Sequence, residues 1–372
     1  MEFWQRVERE LAHRKTNESY RELKLIEAKT DFASNDYLGL ARSQKLAQSI
    51  HQKAQSLGIG NGATGSRLLS GNHTLIEALE EKLGILFRGQ ALLYNSGYDA
   101  NIGVLSCLPQ RNDTILYDEL AHACIKDGAR LSLAKRYSFR HNDIHDLENK
   151  LRKASGQTFI VVESIYSMDG DECPLQEILA LKKKYNSIVM IDEAHSTGVM
   201  GENGSGMSCL LNLEKDIDIR VYTFGKAMGT HGACVVTVPT IKNYLINFSR
   251  SFIYTTALSP HSIISIECAF DFLRQYPALQ TQLRDRILLF QNLLHPNAHR
   301  VPSKSAIQSI LVTGNKAAKA LSSKLLDQGL DCRPILAPTV KEGSERLRIC
   351  LHTFNTNEEL EKLVPILNQY NS

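Results

Sequence analysis

Residues 187–198 read Ser-Ile-Val-Met-Ile-Asp-Glu-Ala-His-Ser-Thr-Gly. Four apolar residues, Ile188 to Ile191, run into Asp192, and His195 follows three positions later. A short apolar run bounded by polar residues predicts a strand buried on both faces. Working outward, comparable runs occur at Ala91–Asn95, Thr114–Tyr117, Phe159–Val162, Ile219–Phe224 and Ala233–Val238. Charged amphipathic stretches such as His145–Lys153 and Pro174–Tyr185 lie between several of them. Strands alternating with helices predict an α/β fold with a mostly parallel sheet covered on both faces. Such sheets bind ligands at the carboxyl ends of their strands, where Asp192 falls.

The 372 residues suffice for two domains. Forty-three Lys and Arg against 40 Asp and Glu leave a net charge of +3, which argues against a dedicated nucleic-acid binder. No apolar run reaches the roughly 18–20 residues of a membrane helix, and the start, MEFWQRVERELAHRK, lacks the apolar core of a secretory signal. That start reads as an amphipathic helix with Phe3, Val7 and Leu11 on one face. The eight cysteines are scattered, with no C-x-x-C pair, so they read as reduced core residues and predict a cytoplasmic chain. Thr74–Phe87 predicts a helix with Thr74 and Glu77 as a capping box. Beyond Ala257 the pattern changes to a long helical region, Ser262–Leu294, broken near Tyr276–Pro277. Strands at Ser309–Val312 and Arg346–Leu351 and helices at Lys316–Gln328 and Asn357–Tyr370 follow. The expected division is an N-terminal helical arm over 1–42, a large domain over 43–257 and a smaller α+β domain over 258–372.

Two motifs are decoys. Gly60-Asn-Gly-Ala-Thr-Gly65 matches G-x-G-x-x-G, but a helix, Leu46–Leu57, precedes it where a dinucleotide fold needs a strand. His141 and His145 stand four apart, yet Asn142 and Asp143 between them read as a turn and a helix cap, and no third metal ligand is evident.

Three segments carry chemistry. Asp192 and His195 follow one strand; Thr223-Phe-Gly-Lys226-Ala-Met-Gly229 places a lysine in a glycine-flanked turn after another; His122 follows Thr114–Tyr117. Together they supply what pyridoxal phosphate (PLP) requires. An amine, Lys226, meets the aldehyde; a carboxylate, Asp192, keeps the pyridine nitrogen protonated; a flat ring, His122, stacks on the cofactor. Thr223 and the Ser96-Gly97-Tyr98 turn offer hydroxyl and N–H groups for the phosphate.

The sequence resembles the α-oxoamine synthases, PLP enzymes of fold-type I. The resemblance rests on SNDYLGL (34–40), the 58–72 loop with SRLLSG, ESIYSMDG (163–170), DEAHSTG (192–198), TFGKAMG (223–229), Tyr254-Thr255-Thr256 and the Pro338–Arg348 segment. It implies a seven-stranded, mostly parallel sheet in the large domain and a homodimer with shared sites. It makes Lys226 the Schiff-base lysine and proton shuttle, Asp192 the pyridinium partner, His195 a hydrogen-bond partner of the cofactor's phenolic oxygen and His122 the stacking ring. It puts Ser96, Gly97, Tyr98 and Thr223 around the phosphate, and lets Thr255 or Thr256 reach the neighbouring subunit's cofactor. Glu163 and Ser167 would hold the site, Arg348 would bind the amino-acid carboxylate, and Asn35 would lie near the substrate. The implied reaction is decarboxylative condensation of an amino acid with an acyl-CoA, with L-alanine and a pimeloyl thioester as the favoured pair. The Tyr98–Asn101 segment is closer to glycine-using members, and the basic residues Arg14, Lys15 and Arg21 are sparse. Glycine with an acetyl thioester and serine with a palmitoyl thioester therefore stay open. Outside this chemistry the same fold admits an aminotransferase or a non-catalytic partner subunit, and the presence of Lys226 weighs against the latter.

Overall fold

The structure, a computed structural model, describes residues 2–23, 25, 30–296 and 298–370. Its large unit, Leu38–Tyr166 with Glu172–Thr281, holds a seven-stranded sheet. The strands are β1 (Gln90–Tyr94), β2 (Thr114–Asp118), β3 (Lys135–Phe139), β4 (Thr158–Glu163), β5 (Ile188–Asp192), β6 (Ile219–Thr223) and β7 (Ala233–Thr237), in the order β1-β7-β6-β5-β4-β2-β3. Contacts from β6 through β5, β4 and β2 to β3 are parallel, while β7 runs antiparallel to both β6 and β1. The unbroken apolar runs follow from burial on both faces. Along β4, Phe159 and Val161 enter one core cluster, and Ile160 and Val162 enter the other.

Every predicted run forms a strand, but Asn95, Phe224 and Val238 fall one residue outside theirs. The sequence pattern misses β3, whose Lys-Arg-Tyr-Ser-Phe has four exposed residues. As an edge strand it needs no two-sided apolar run. The helix expected from Thr74 covers Thr74–Leu86, but the capping box does not form. His73 is the N-cap, without a side-chain cap bond, and Glu77 accepts from Asn72 Nδ2 instead. The helix Glu2–Thr16 forms and buries none of its residues. No helix among the described residues is long and apolar enough to cross a membrane.

The register places the site. Glu163 on β4 pairs with Asp192 on β5, and Asp192 pairs with Val221 on β6. Two carboxylates thus stand on adjacent parallel strands at their carboxyl ends, the usual ligand edge of such sheets. The helices α1 (Gly97–Cys107) and α2 (Ala123–Leu131) start shortly after β1 and β2.

The smaller unit comprises residues 1–37, 167–171 and 282–372. It contains a four-stranded antiparallel sheet in the order Arg333–Ile335, Arg346–Cys350, Ile307–Leu311, Arg300–Val301. The two units do not follow the three consecutive segments 1–42, 43–257 and 258–372. Thr30–Asp31 pairs in parallel with Leu330–Asp331, which ties early residues to late ones. The helix Pro260–Gln275 packs on the helices Gln44–Ser56 and Thr74–Leu86 and so belongs to the large unit.

Candidate active site

Asp192 closes β5 and is 5% exposed. Its Oδ2 accepts from Asn101 Nδ2 at 2.8 Å, and its Oδ1 accepts from the Ala194 N–H at 2.9 Å. Two donors from different elements fix the plane of the carboxylate. Asn101 was not among the expected site residues. It stands four positions after Gly97, one helical turn into α1, and its Nδ2 also donates to the Gly97 carbonyl at 2.9 Å.

Lys226 sits in the turn that follows β6, with Nζ 2.9 Å from Nε2 of the buried His195. The turn closes tightly: Gly229 has φ 63°, and a Cβ there would lie 2.2 Å from the Ala41 nitrogen. Only glycine fits that backbone.

The start of α1 forms a cradle. Ser96 is its N-cap, accepting from the Asp99 N–H at 3.1 Å and donating to Asp99 Oδ2 at 2.7 Å. A Cβ on Gly97 would meet Thr223 Cγ2 at 2.4 Å, so the helix start lies directly on the end of β6. Thr223 Oγ1 is buried with no hydrogen-bond partner among the described residues. A hydroxyl left unsatisfied beside a helix N-terminus suits an anion, which would accept from both. Tyr98 is exposed, and its hydroxyl donates to Asp127 Oδ2 at 2.7 Å.

His122 caps α2 and is open to solvent. Its N–H donates to Glu163 Oε1 at 2.5 Å. The Glu163 carboxyl is pushed up to about 8, by burial first and by the Asp192 charge second. The ordinary value is 4.5, so between the two the folded chain holds a proton that the unfolded chain has released. Stability of the cofactor-free chain should therefore fall as pH rises through that window. Glu163→Gln is expected to flatten the fall in urea midpoints measured across it, and an unchanged slope would show that Glu163 is not its source.

In the other unit, Arg348 donates from Nε to the Ser167 carbonyl at 2.7 Å and from Nη2 to Asn35 Oδ1 at 2.9 Å. Its Nη1 lies 3.0 Å from Cys350 Sγ. Tyr37 also donates to Asn35 Oδ1, at 3.0 Å. The Ser167 carbonyl and the Asn35 amide orient the guanidinium, and Tyr37 and Cys350 also interact with it. Thr255 and Thr256 are placed by Asn95, whose Nδ2 donates to Thr255 Oγ1 at 3.0 Å and to the Thr256 carbonyl at 2.8 Å. The expected residues thus fall into two sets. Lys226, His195, Asp192, Glu163, His122, Thr223, Ser96, Gly97, Tyr98, Thr255 and Thr256 belong to the large unit, and Arg348, Asn35 and Ser167 to the smaller.

Residues 60–65 are loop, with no helix opening at Gly65. His141 Nδ1 meets Asp118 Oδ1 at 2.9 Å, and no metal-holding cluster of His, Cys, Asp and Glu occurs among the described residues. All eight cysteines are free, seven of them buried.

Comparison with known proteins agrees with this geometry. The family model for aminotransferase class I and II matches residues 27–367. The chain is 39% identical to 8-amino-7-oxononanoate synthase of Lysinibacillus sphaericus over 337 residues, covering 90% of this chain and 86% of the relative. Among solved structures it resembles 8-amino-7-oxononanoate synthase of Francisella tularensis, with TM-score 0.79, 29% identity and coverage of 91% and 97% of the two chains. A serine palmitoyltransferase variant from S. paucimobilis with bound PLP–myriocin aligns with TM-score 0.83 and 27% identity, over 91% and 86%. An ordered set of motifs, a seven-stranded sheet with its charged groups at one edge, and a match over nearly the whole length agree: the chain belongs to the aminotransferase class I and II family, in its α-oxoamine synthase branch.

Proposed function

We propose that this enzyme is a PLP-dependent acyltransferase that condenses L-alanine with a pimeloyl thioester to give 8-amino-7-oxononanoate, a step of biotin synthesis. A carbon–carbon bond forms between the alanine α-carbon and the thioester carbonyl; the carbon–sulfur bond and the bond to the α-carboxylate break, releasing CoA and carbon dioxide. The observation that carries the reading is Lys226 Nζ beside His195 at the strand edge where Asp192 is held by Asn101.

When bound, PLP supplies an aldehyde that takes an amine and a protonated pyridine ring that accepts electron density from the substrate α-carbon. The residues divide the remaining work. Lys226 Nζ holds the cofactor and then takes the proton from the α-carbon. His195 Nε2 shares a hydrogen bond with that amine and is the partner for the cofactor's phenolic oxygen. The Asp192 carboxylate opposes the positive charge on the pyridine nitrogen. Ser96, Gly97, Tyr98 and Thr223 bind the phosphate, His122 stacks on the ring, and Glu163 secures the His122 backbone. Arg348, oriented by Ser167 and Asn35, binds the amino-acid carboxylate. Thr255 or Thr256 reaches the phosphate in a second copy, so the working form is a homodimer.

The test offers alanine, glycine and serine against pimeloyl, acetyl and palmitoyl thioesters and follows thiol release. Release with alanine and the pimeloyl thioester is expected. Release only with glycine and acetyl-CoA, or amino-donor turnover without any thioester, would overturn the assignment. Arg348→Lys keeps the charge but loses the planar fork. It is expected to raise the amino-acid KM about tenfold or more while the thioester KM stays within about twofold. Steady-state kinetics with each substrate varied in turn separates the two.

A further inference from the structure

Two groups of Cys124 converge on one atom of His122. The Cys124 backbone N–H donates to His122 Nδ1 at 3.2 Å, and Cys124 Sγ lies 2.9 Å from the same nitrogen. A backbone N–H can only donate, so Nδ1 is an acceptor and the neutral ring carries its proton on Nε2. Cys124 is 3% exposed. Burial first, and then the charges of Asp192 and Glu163, hold its thiol above the ordinary cysteine value, so the sulfur presents S–H and not thiolate. A protonated thiol facing an acceptor nitrogen is a donor. The contact with His122 is the distinguishing feature of this cysteine.

The surroundings agree. Desolvation is the largest influence on the imidazole and lowers its pKa; Lys226 and Lys126 push the same way, while Asp192 and Asp127 oppose them. Glu163 accepts the His122 backbone N–H, which fixes the residue from the β4 side. The ring is thus anchored at its backbone and at Nδ1, while the residue remains open to solvent.

We propose that Cys124 is a positioning residue that holds His122 neutral, as the Nε2–H tautomer, with its ring plane fixed for stacking on the cofactor. The proposal rests on the PLP reading above. Its physical sense is electrostatic. The pyridine ring opposite Asp192 must stay protonated to accept electron density, and an imidazolium stacked on it would place two cations face to face. A neutral imidazole presents an electron-rich face to the charged ring. A proton arriving at Nδ1 would have to displace both Cys124 donors, so the contact resists the charged form.

The test compares Cys124→Ala and Cys124→Ser with the parent chain. Histidine 15N NMR of the cofactor-free protein, with His122 assigned through His122→Gln, reads tautomer and titration; PLP affinity and the pH profile of kcat/KM are measured on the same proteins. In the parent chain Nδ1 should show the unprotonated signature. In Cys124→Ala the His122 midpoint should rise toward the ordinary histidine value, PLP affinity should fall about threefold to tenfold, as for one lost neutral hydrogen bond, and the acid limb of the profile should move to higher pH. Cys124→Ser keeps a donor and should stay close to the parent in all three. A proton on Nδ1 in the parent, an unmoved midpoint in Cys124→Ala, or equal shifts in both variants would overturn the proposal. If the parent chain fails to bind PLP at all, the proposed function falls and with it the stacking role, whereas the NMR titration still decides the tautomer.

Discussion

Lys226→Ala is expected to lower kcat/KM for the condensation by about 10³-fold or more, the scale on which a positioned base that also holds the reactive group contributes. The variant should still fold. Lys226 lies in a turn outside the strands, and Gly229, Phe224 and the buried ends of β6 and β7 remain in place. It should also still bind PLP, because the groups proposed for the phosphate, at the start of α1 and on Thr223, do not involve Lys226. The expected signature is therefore specific. Bound PLP changes its visible spectrum, since its aldehyde no longer meets a protein amine, while binding weakens far less than turnover. His195 loses its 2.9 Å partner and cannot substitute, being an imidazole rather than a primary amine. Titrating PLP into parent and variant by absorbance, then assaying thiol release at equal occupancy, checks this. Turnover within tenfold of the parent would remove Lys226 from the chemistry.

Asp192→Asn is expected to lower kcat by about 10²–10³-fold, the range found when a preorganised electrostatic group is removed from a site where charge develops. The change keeps the shape of the side chain and removes its charge. One side of the new amide must be its NH2, and both Asn101 Nδ2 and the Ala194 N–H are donors aimed at that group. One of those donors is left without an acceptor, so a modest loss of stability accompanies the loss of rate. The two effects are separable. Asn101→Ala removes a donor and leaves the carboxylate, so it should cost far less activity than Asp192→Asn. Comparing kcat for the two variants at saturating PLP decides the point. Equal losses would mean that side-chain placement matters there and charge does not.

Much of the sheet was legible because a strand buried on both faces favours an unbroken apolar run, and five of its seven strands are written that way; in β6 the run is broken by Arg220, which is buried and donates from Nη1 to the Phe87 carbonyl at 2.6 Å. The strand β3 stands at an edge with Phe139 alone buried, so it carries no apolar run for the pattern to find. The capping box at Thr74 shows the limit of a local rule: Asn72 was available to Glu77 and the box did not form. The division of the chain was less legible still, since the pairing of Thr30–Asp31 with Leu330–Asp331 joins segments 300 residues apart and no local pattern announces it.

For the site, the sequence by itself determined which chemical groups stand at the ends of which strands: an amine after β6, a carboxylate ending β5, an imidazole after β2. Those follow from residue identity plus the requirement that an apolar strand end where polar residues begin. Only the tertiary structure decided how the groups are held. Burial first, and second the Asp192 charge that parallel register sets beside it, push the Glu163 carboxyl up. The start of α1 lies on the end of β6, where the Thr223 hydroxyl has no partner among the described residues. Asn101 fixes Asp192 from 91 residues away. Residue types are local and are written in the chain. Desolvation, hydrogen-bond direction and charge proximity depend on which segments fold next to one another, and no single segment contains that.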